Sequence, residues 1–154
     1  MLYLIDGNNV MDQAGVEDKG IPAARKKLIL GLVHFVAVNR VKVQVVFDGT
    51  PDEEFPDGRM YKGVKILYAK AGSDADSRIK DIVGKSSYRR DMTLASSDRD
   101  LELFVKKLGA RVISSGKFRE MIKEAEDKLT YREKVSPSEP VNVEEWMEFF
   151  KSEK

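Results

Sequence analysis

Three apolar runs of this chain each end in an aspartate: Leu2-Tyr3-Leu4-Ile5 leads into Asp6-Gly7, Val43-Gln44-Val45-Val46-Phe47 into Asp48-Gly49, and Met92-Thr93-Leu94-Ala95 into Ser96-Ser97-Asp98. Short runs rich in aliphatic side chains and bounded by turn residues read as buried strands. Lying parallel and side by side, such strands open their carboxyl ends on one edge of the sheet, where open α/β folds place their sites. The carboxylates then converge, and like charges brought together cost stability unless a cation is shared. A further acidic pair, Asp74 and Asp76, stands in Gly72-Ser73-Asp74-Ala75-Asp76, where a helix is expected to begin. Hard oxygen donors in that number suit Mg²⁺ or Mn²⁺.

Between these runs the apolar period switches to that of helices. Pro22 followed by Ala23, Ala24, Leu28, Ile29, Leu32, Val33 and Val36 predicts a helix over 22–39. Val41 to Phe47 is a strand, 50–63 with its prolines and glycines an irregular loop, and Val64 to Ala69 another strand. A helix from Ser73 turns Ile79, Ile82 and Val83 inward, 92–96 is a strand, and Asp98 to Leu108 is a helix stopped by Gly109. Residues 111–114 form the last strand and Lys117 to about Leu129 an amphipathic helix. Residues 1–134 make one domain, and 135–154 a proline-containing linker with a C-terminal helix docked on it, Asn142 and Glu145 capping Trp146, Met147, Phe149 and Phe150. Strands alternating with helices imply right-handed crossovers and a mostly parallel sheet.

Composition narrows the chemistry. Lys and Arg total 27 against 26 Asp and Glu, a net charge of +1, so nucleic-acid affinity must come from local distribution of charge. No cysteine is present, which excludes disulfides, Cys-ligated zinc and iron–sulfur clusters. No apolar run approaches the ~18 residues of a membrane span, so no membrane partner and a cytoplasmic location are expected. His34 is the only histidine and falls inside the first helix, which leaves no Ser-His triad. Neither G-x-x-x-x-G-K-[ST] nor G-x-G-x-x-G follows the first strand, so nucleoside-triphosphate and dinucleotide cradles are missing.

Taken singly, each acid has an ordinary use. Asp6-Gly7 and Asp48-Gly49 are turn dipeptides, Asp98 sits at a helix cap, and Ser73 with Asp76 resembles a cap with an acidic first turn. Their joint placement on one edge is what favours a metal site. Asp74 and Asp76 are two residues apart and cannot share a helix face, so one of them is the ligand. Asp100 either reaches the ion through water or faces solvent. Asn8, Asn9, Ser96 and Ser97 are candidates for positioning water or a phosphate, or else turn and cap residues. Arg59, Lys62, Lys70, Arg78, Arg99 and Lys117 are the candidate RNA-binding cations at the same edge, where a few lining a backbone track suffice for a single strand.

With those residues in view, the chain resembles the NYN-domain, YacP-like branch of the PIN-like nucleases. The matching pieces are Tyr3-Leu4-Ile5-Asp6-Gly7-Asn8-Asn9-Val10; Ala24-Arg25 with Leu28, Ile29 and Leu32; Val45-Val46-Phe47-Asp48-Gly49; Gly72-Ser73-Asp74-Ala75-Asp76-Ser77; and Leu94-Ala95-Ser96-Ser97-Asp98. They run in the family's order from residue 2 to about 118, and the tail after Tyr131 matches no part of the pattern. The resemblance implies an α/β, PIN-like three-layer sandwich around a five-stranded sheet of order 3-2-1-4-5. It also implies a divalent-metal-dependent endoribonuclease acting on single-stranded RNA, with links to messenger-RNA decay and the ribosome. Carried over by position, Asp6, Asp76 and Asp98 fall on the family's acidic metal and catalytic positions, Asp48 on its second strand-end acid, and Asn9 on its asparagine after Asp-Gly-x. Asp74 stands where relatives carry threonine or another small residue.

Two other classes compete with the nuclease. A non-catalytic RNA- or ribosome-binding module would keep the fold with a degraded acid set. A receiver-like Mg²⁺-binding regulatory domain would want paired acids after strand one and a lysine after strand five; here Asp6 stands alone and only Lys117 fits.

Overall fold

In the computed structural model, residues 1–11 and 20–135 are described. The chain runs β1 (Leu2–Asp6), α1 (Gly7–Val10), α2 (Ile21–Asn39), β2 (Lys42–Phe47), β3 (Arg59–Tyr61), β4 (Val64–Tyr68), α3 (Ala75–Lys85), a 3-10 turn (Arg89–Asp91), β5 (Met92–Ala95), α4 (Arg99–Lys107), β6 (Arg111–Ile113) and α5 (Ser115–Val135). The expected linker and C-terminal helix lie outside the described residues.

The sheet has six strands in the order β3-β4-β2-β1-β5-β6. Every pairing is parallel except β3 with β4. The five parallel strands stand in the order expected; the sixth, β3, corrects the reading of 50–63 as wholly irregular. It is a hairpin arm. Lys62 and Gly63 form a two-residue turn with φ of 47° and 89°, the left-handed pair that matches strand twist. Asn-Gly or Asp-Gly is the usual signal for such a turn, and a lysine in the first position hid it.

Alternation along the strands builds two cores. Ile5, Val43, Val45, Phe47, Val64, Ile66 and Tyr68 point to the face covered by α1, α2 and α5, where they meet Leu28, Ile29, Leu32, Phe35 and Phe118. Leu4, Val46, Leu67, Met92 and Leu94 point the other way, against Ile79 and Val83 of α3 and Leu101 and Val105 of α4. A sheet buried on both faces is the condition for parallel pairing, and it makes the three-layer sandwich. Tyr3, Phe35 and Phe118 lock α2 and α5 to β1, with ring centroids 5.1–5.9 Å apart.

Two helix boundaries differ from expectation for a physical reason. Helix α3 starts at Ala75 because Asp74, rather than Ser73, accepts the Ser77 N–H at 2.8 Å. Helix α5 begins at Ser115 and continues through Val135, beyond the predicted end near 129, since no glycine or proline interrupts 117–135. Among the described residues no helix is long and apolar enough to cross a membrane.

Gly7 carries the entry to the site. A Cβ there would meet Phe47 Cδ1 at 2.4 Å and the Val46 carbonyl at 2.9 Å, a ring and a backbone atom that cannot yield cheaply. Gly84, inside α3, has nothing within 4 Å of an added Cβ. Gly7→Ala is therefore expected to lower stability by about 1–3 kcal/mol through overpacking. Gly84→Ala should raise it by about 0.5–1 kcal/mol through helix propensity. Urea midpoints of the two variants, moving in opposite directions, are the check.

Candidate active site

The carboxyl ends of β1, β2 and β5 and the start of α3 meet around a cavity of about 350 Å³ lined by Asp6, Asp48, Asp74, Asp76 and Asp98, with Asn8 and Asn9. The acids expected to converge do so on one edge of the sheet. Asp6 ends β1 and is partly buried. Burial pushes its carboxyl up from 3.8 to about 6, the negative charges of Asp48 and Asp98 push the same way, and a 2.9 Å hydrogen bond from the Ser96 hydroxyl opposes them. Ser96, fully buried, also accepts the Asp98 N–H at 3.1 Å and so couples the ends of β1 and β5.

The other acids are anchored to helix N-termini. Asp48 accepts the Ala75 N–H of α3 at 2.6 Å, and Asp98 caps α4 by accepting from Asp100 and Leu101 at 3.0 and 3.2 Å. Asp74 caps α3, and the Ser77 N–H holds its carboxyl below the usual range. Asp76 differs. Its Oδ2 lies 3.1 Å from Lys80 Nζ, while its Oδ1 is buried with no hydrogen-bond partner among the described residues. Asp100 is exposed at the rim, 3.5 Å from the same ammonium. Hydrogen bonding to Asp76 holds Lys80 above the usual lysine range.

The two asparagines tie loops together. Asn8 Oδ1 accepts the Asp48 N–H at 2.8 Å. Asn9 Oδ1 accepts the Ser97 N–H at 2.9 Å and also the Ser115 hydroxyl, and Ser97 Oγ accepts the Ser115 N–H at 3.0 Å. Asn8, Asn9, Ser96 and Ser97 thus all act on the frame of the cavity.

The six expected RNA-binding cations scatter. Arg78 donates to the Tyr68 carbonyl and to Asp57 at 2.9 Å, bracing α3 against β4. Arg59 and Lys62 flank the Tyr61 ring at 5.9 and 5.5 Å on the β3–β4 hairpin. Lys70 lines a crevice with Gly49 and Gly72 beside the acidic cavity, and Arg99 is exposed next to Asp98. Lys117 is exposed and 3.7 Å from Glu120.

Comparison with known proteins adds the ancestry. Residues 3–148 match the YacP-like NYN domain. The chain belongs to that family. The match runs past residue 118 into the tail that the sequence motifs left unplaced. Two crystal structures of Rae1 (YacP) from Bacillus subtilis share the fold at 20% identity. A point mutant superposes with a TM-score of 0.74 over 95% of this chain and 89% of that one. The other structure gives 0.72 over 87% and 80%. No curated protein matches the sequence. This NYN domain therefore carries an RNase-type fold.

Two residues with structural influence on the site were not among the expected ones. Arg25, only 4% exposed, donates to the Asp48 carbonyl and to the Thr50 carbonyl at 2.9 Å, pairs with Asp52 at 3.3 Å, and stacks on Phe47 and Tyr68. Its signal was a lone arginine on the apolar face between Ala24 and Leu28. Lys80 was legible as a cation four residues after Asp76 on one helix.

The raised Asp6 value has a sign that can be tested without metal. The folded carboxyl holds its proton more tightly than the unfolded one, so wild type loses stability as pH rises from 3.8 through about 6. The loss is at most about 3 kcal/mol. Asp6→Asn removes it. In chelator, the stability of Asp6→Asn relative to wild type should increase between about pH 4 and pH 7 and level off above. Urea melts across that range read the difference, and a pH-independent gap would refute the assignment.

Proposed function

We propose that this chain is a divalent-metal-dependent endoribonuclease that hydrolyses phosphodiester bonds in single-stranded RNA, acting in messenger-RNA decay or on ribosome-associated RNA. The observation that carries this reading is Asp76, whose buried Oδ1 has no hydrogen-bond partner among the described residues and which lines one cavity with Asp6, Asp48 and Asp98. An orphaned carboxylate oxygen in a crowd of like charges has strong reason to meet a cation. The donors are all oxygen, as Mg²⁺ or Mn²⁺ require. Asp6, Asp48, Asp76 and Asp98 would hold the ion, with Asp100 at the rim able to act through water and Asp74 occupied as a helix cap.

When bound, such an ion lowers the pKa of a coordinated water and offsets charge on the scissile phosphate. The chain's own residues set the geometry. Ser96 orients Asp6, Lys80 holds Asp76 by its Oδ2, and Asn8 and Asn9 fix the loops that carry Asp48 and Ser97. In hydrolysis the water oxygen bonds phosphorus as it gives a proton to solvent or a carboxylate, and the P–O bond to the leaving ribose oxygen breaks as that oxygen takes a proton from solvent to become a hydroxyl.

One observation favours the alternative of a non-catalytic RNA-binding module. Among the described residues no three acidic or histidine side chains already enclose an ion. The nuclease reading therefore requires the carboxylates to draw in on binding, which the exposed Asp98 and partly buried Asp76 permit.

The test is cleavage of labelled single-stranded RNA with Mn²⁺, with Mg²⁺ and with chelator. Asp6→Asn, Asp76→Asn and Asp98→Asn should each reduce metal-dependent cleavage by roughly 10²-fold or more. Their combination should be no worse than the worst single variant, because the residues act as one unit. Asp74→Asn, which keeps the cap, should cleave nearly as wild type. RNA binding without cleavage under any metal would hand the case to the binding module.

A further inference from the structure

A second and larger cavity, about 750 Å³, lies between α1, α2 and α5 and has no part in the chemistry above. Its apolar walls include Val10, Met11, Leu28 and Ile122, each less than a tenth exposed. Its polar lining is cationic on balance, with Lys27, Arg119 and Lys123 against Glu126, and Glu126 stands 3.9 Å from His34. Asn9 lines this cavity and the acidic one alike, so the two adjoin at α1.

An apolar interior with a cationic margin fits a ligand that is flat and apolar at one end and anionic at the other. A nucleotide has that build, and the volume falls among those of small-molecule sites, ~300–1,000 Å³. The acidic cavity repels phosphates, so RNA must be gripped elsewhere. Arg78 and Lys117, expected to help, are engaged with Asp57 and Glu120. We infer that the cavity between α1, α2 and α5 seats one nucleotide of the RNA strand beside the cleavage site, its base against Met11, Leu28 and Ile122 and its phosphate at Arg119 and Lys123. This inference rests on the RNA-cleavage reading and names where that substrate is held.

The experiment is carried out in chelator on the full chain, with a fluorescein-labelled single-stranded oligoribonucleotide and with AMP. Reversing the two exposed charges, Arg119→Glu with Lys123→Glu, should weaken oligoribonucleotide binding about tenfold or more and flatten its salt dependence. Lys106→Glu with Lys107→Glu, an equal change of charge on α4, should leave affinity within about twofold if contact rather than bulk charge matters. The ¹³C-methyl resonance of Met11 should shift on titration with AMP and stay in place with inorganic phosphate at the same concentration. Equal losses from both charge reversals, or a Met11 methyl that ignores AMP while wild type binds RNA, would overturn the inference and leave the nuclease reading standing. Absence of any RNA binding by wild type would remove both.

Discussion

The close approach of α1 to the end of β2 is the constraint on which the site depends. Only a residue without a Cβ lets the chain leave Asp6 across the face of Phe47, and Gly7 supplies it. That approach brings Asn8 within 2.8 Å of the Asp48 N–H and places Asn9 against the Ser97 N–H and the Ser115 hydroxyl. The ends of β1 and β2 and the loops after β5 and β6 are thereby joined through two adjacent amides. Arg25 adds a clamp from below, holding the Asp48 and Thr50 carbonyls from α2 while its guanidinium lies on Phe47 and Tyr68. A buried cation here is compensated by carbonyls, aromatic faces and Asp52 together, which is what makes its burial tolerable.

The layers and the parallel order were legible because each strand had to be apolar on both faces and each helix on one. Ile5 and Leu4 go to opposite cores, as do Phe47 and Val46, and this is the alternation a doubly covered sheet imposes. The convergence of Asp6, Asp48, Asp76 and Asp98 was also legible, since parallel strands share an edge. The β3–β4 hairpin was not, because its turn rests on a lysine at φ 47°, a conformation that sequence rules assign to asparagine or glycine. The roles of the basic residues were equally opaque. Arg78 and Lys70 look alike in sequence, yet one is bonded to the Tyr68 carbonyl and the other lies exposed beside the acidic cavity. Long side chains reach different partners from neighbouring loops, and only their packing decides which.

Asn8, Asn9 and Ser97 show how a local motif conceals a non-local duty. Each is a turn or cap residue by type, but their partners lie 40, 88 and 18 positions away in the chain. Such bonds fix loop ends whose own backbone N–H groups would otherwise lack acceptors, so they contribute order at the edge where the carboxylates must be held.

The carboxylates themselves divide by how their charge is balanced. Asp48, Asp74 and Asp98 accept N–H groups from the first turns of α3 and α4, where the helix field favours negative charge. The Asn9 N–H also favours the charged form of Asp6, and Asp76 sits in the first turn of α3 under the same field. Burial nonetheless lifts the Asp6 carboxyl to about 6, and among the described residues one buried oxygen of Asp76 has no hydrogen-bond partner while Lys80 holds the other. Asp6 feels the charges of Asp48 and Asp98, and all four carboxylates line one cavity. A site built only for stability would replace either with an amide, which keeps the shape and removes the repulsion. Keeping carboxylates at Asp6 and Asp76 holds negative charge at the edge where β1, β2, β5 and α3 meet, at a cost in stability that amides would not carry.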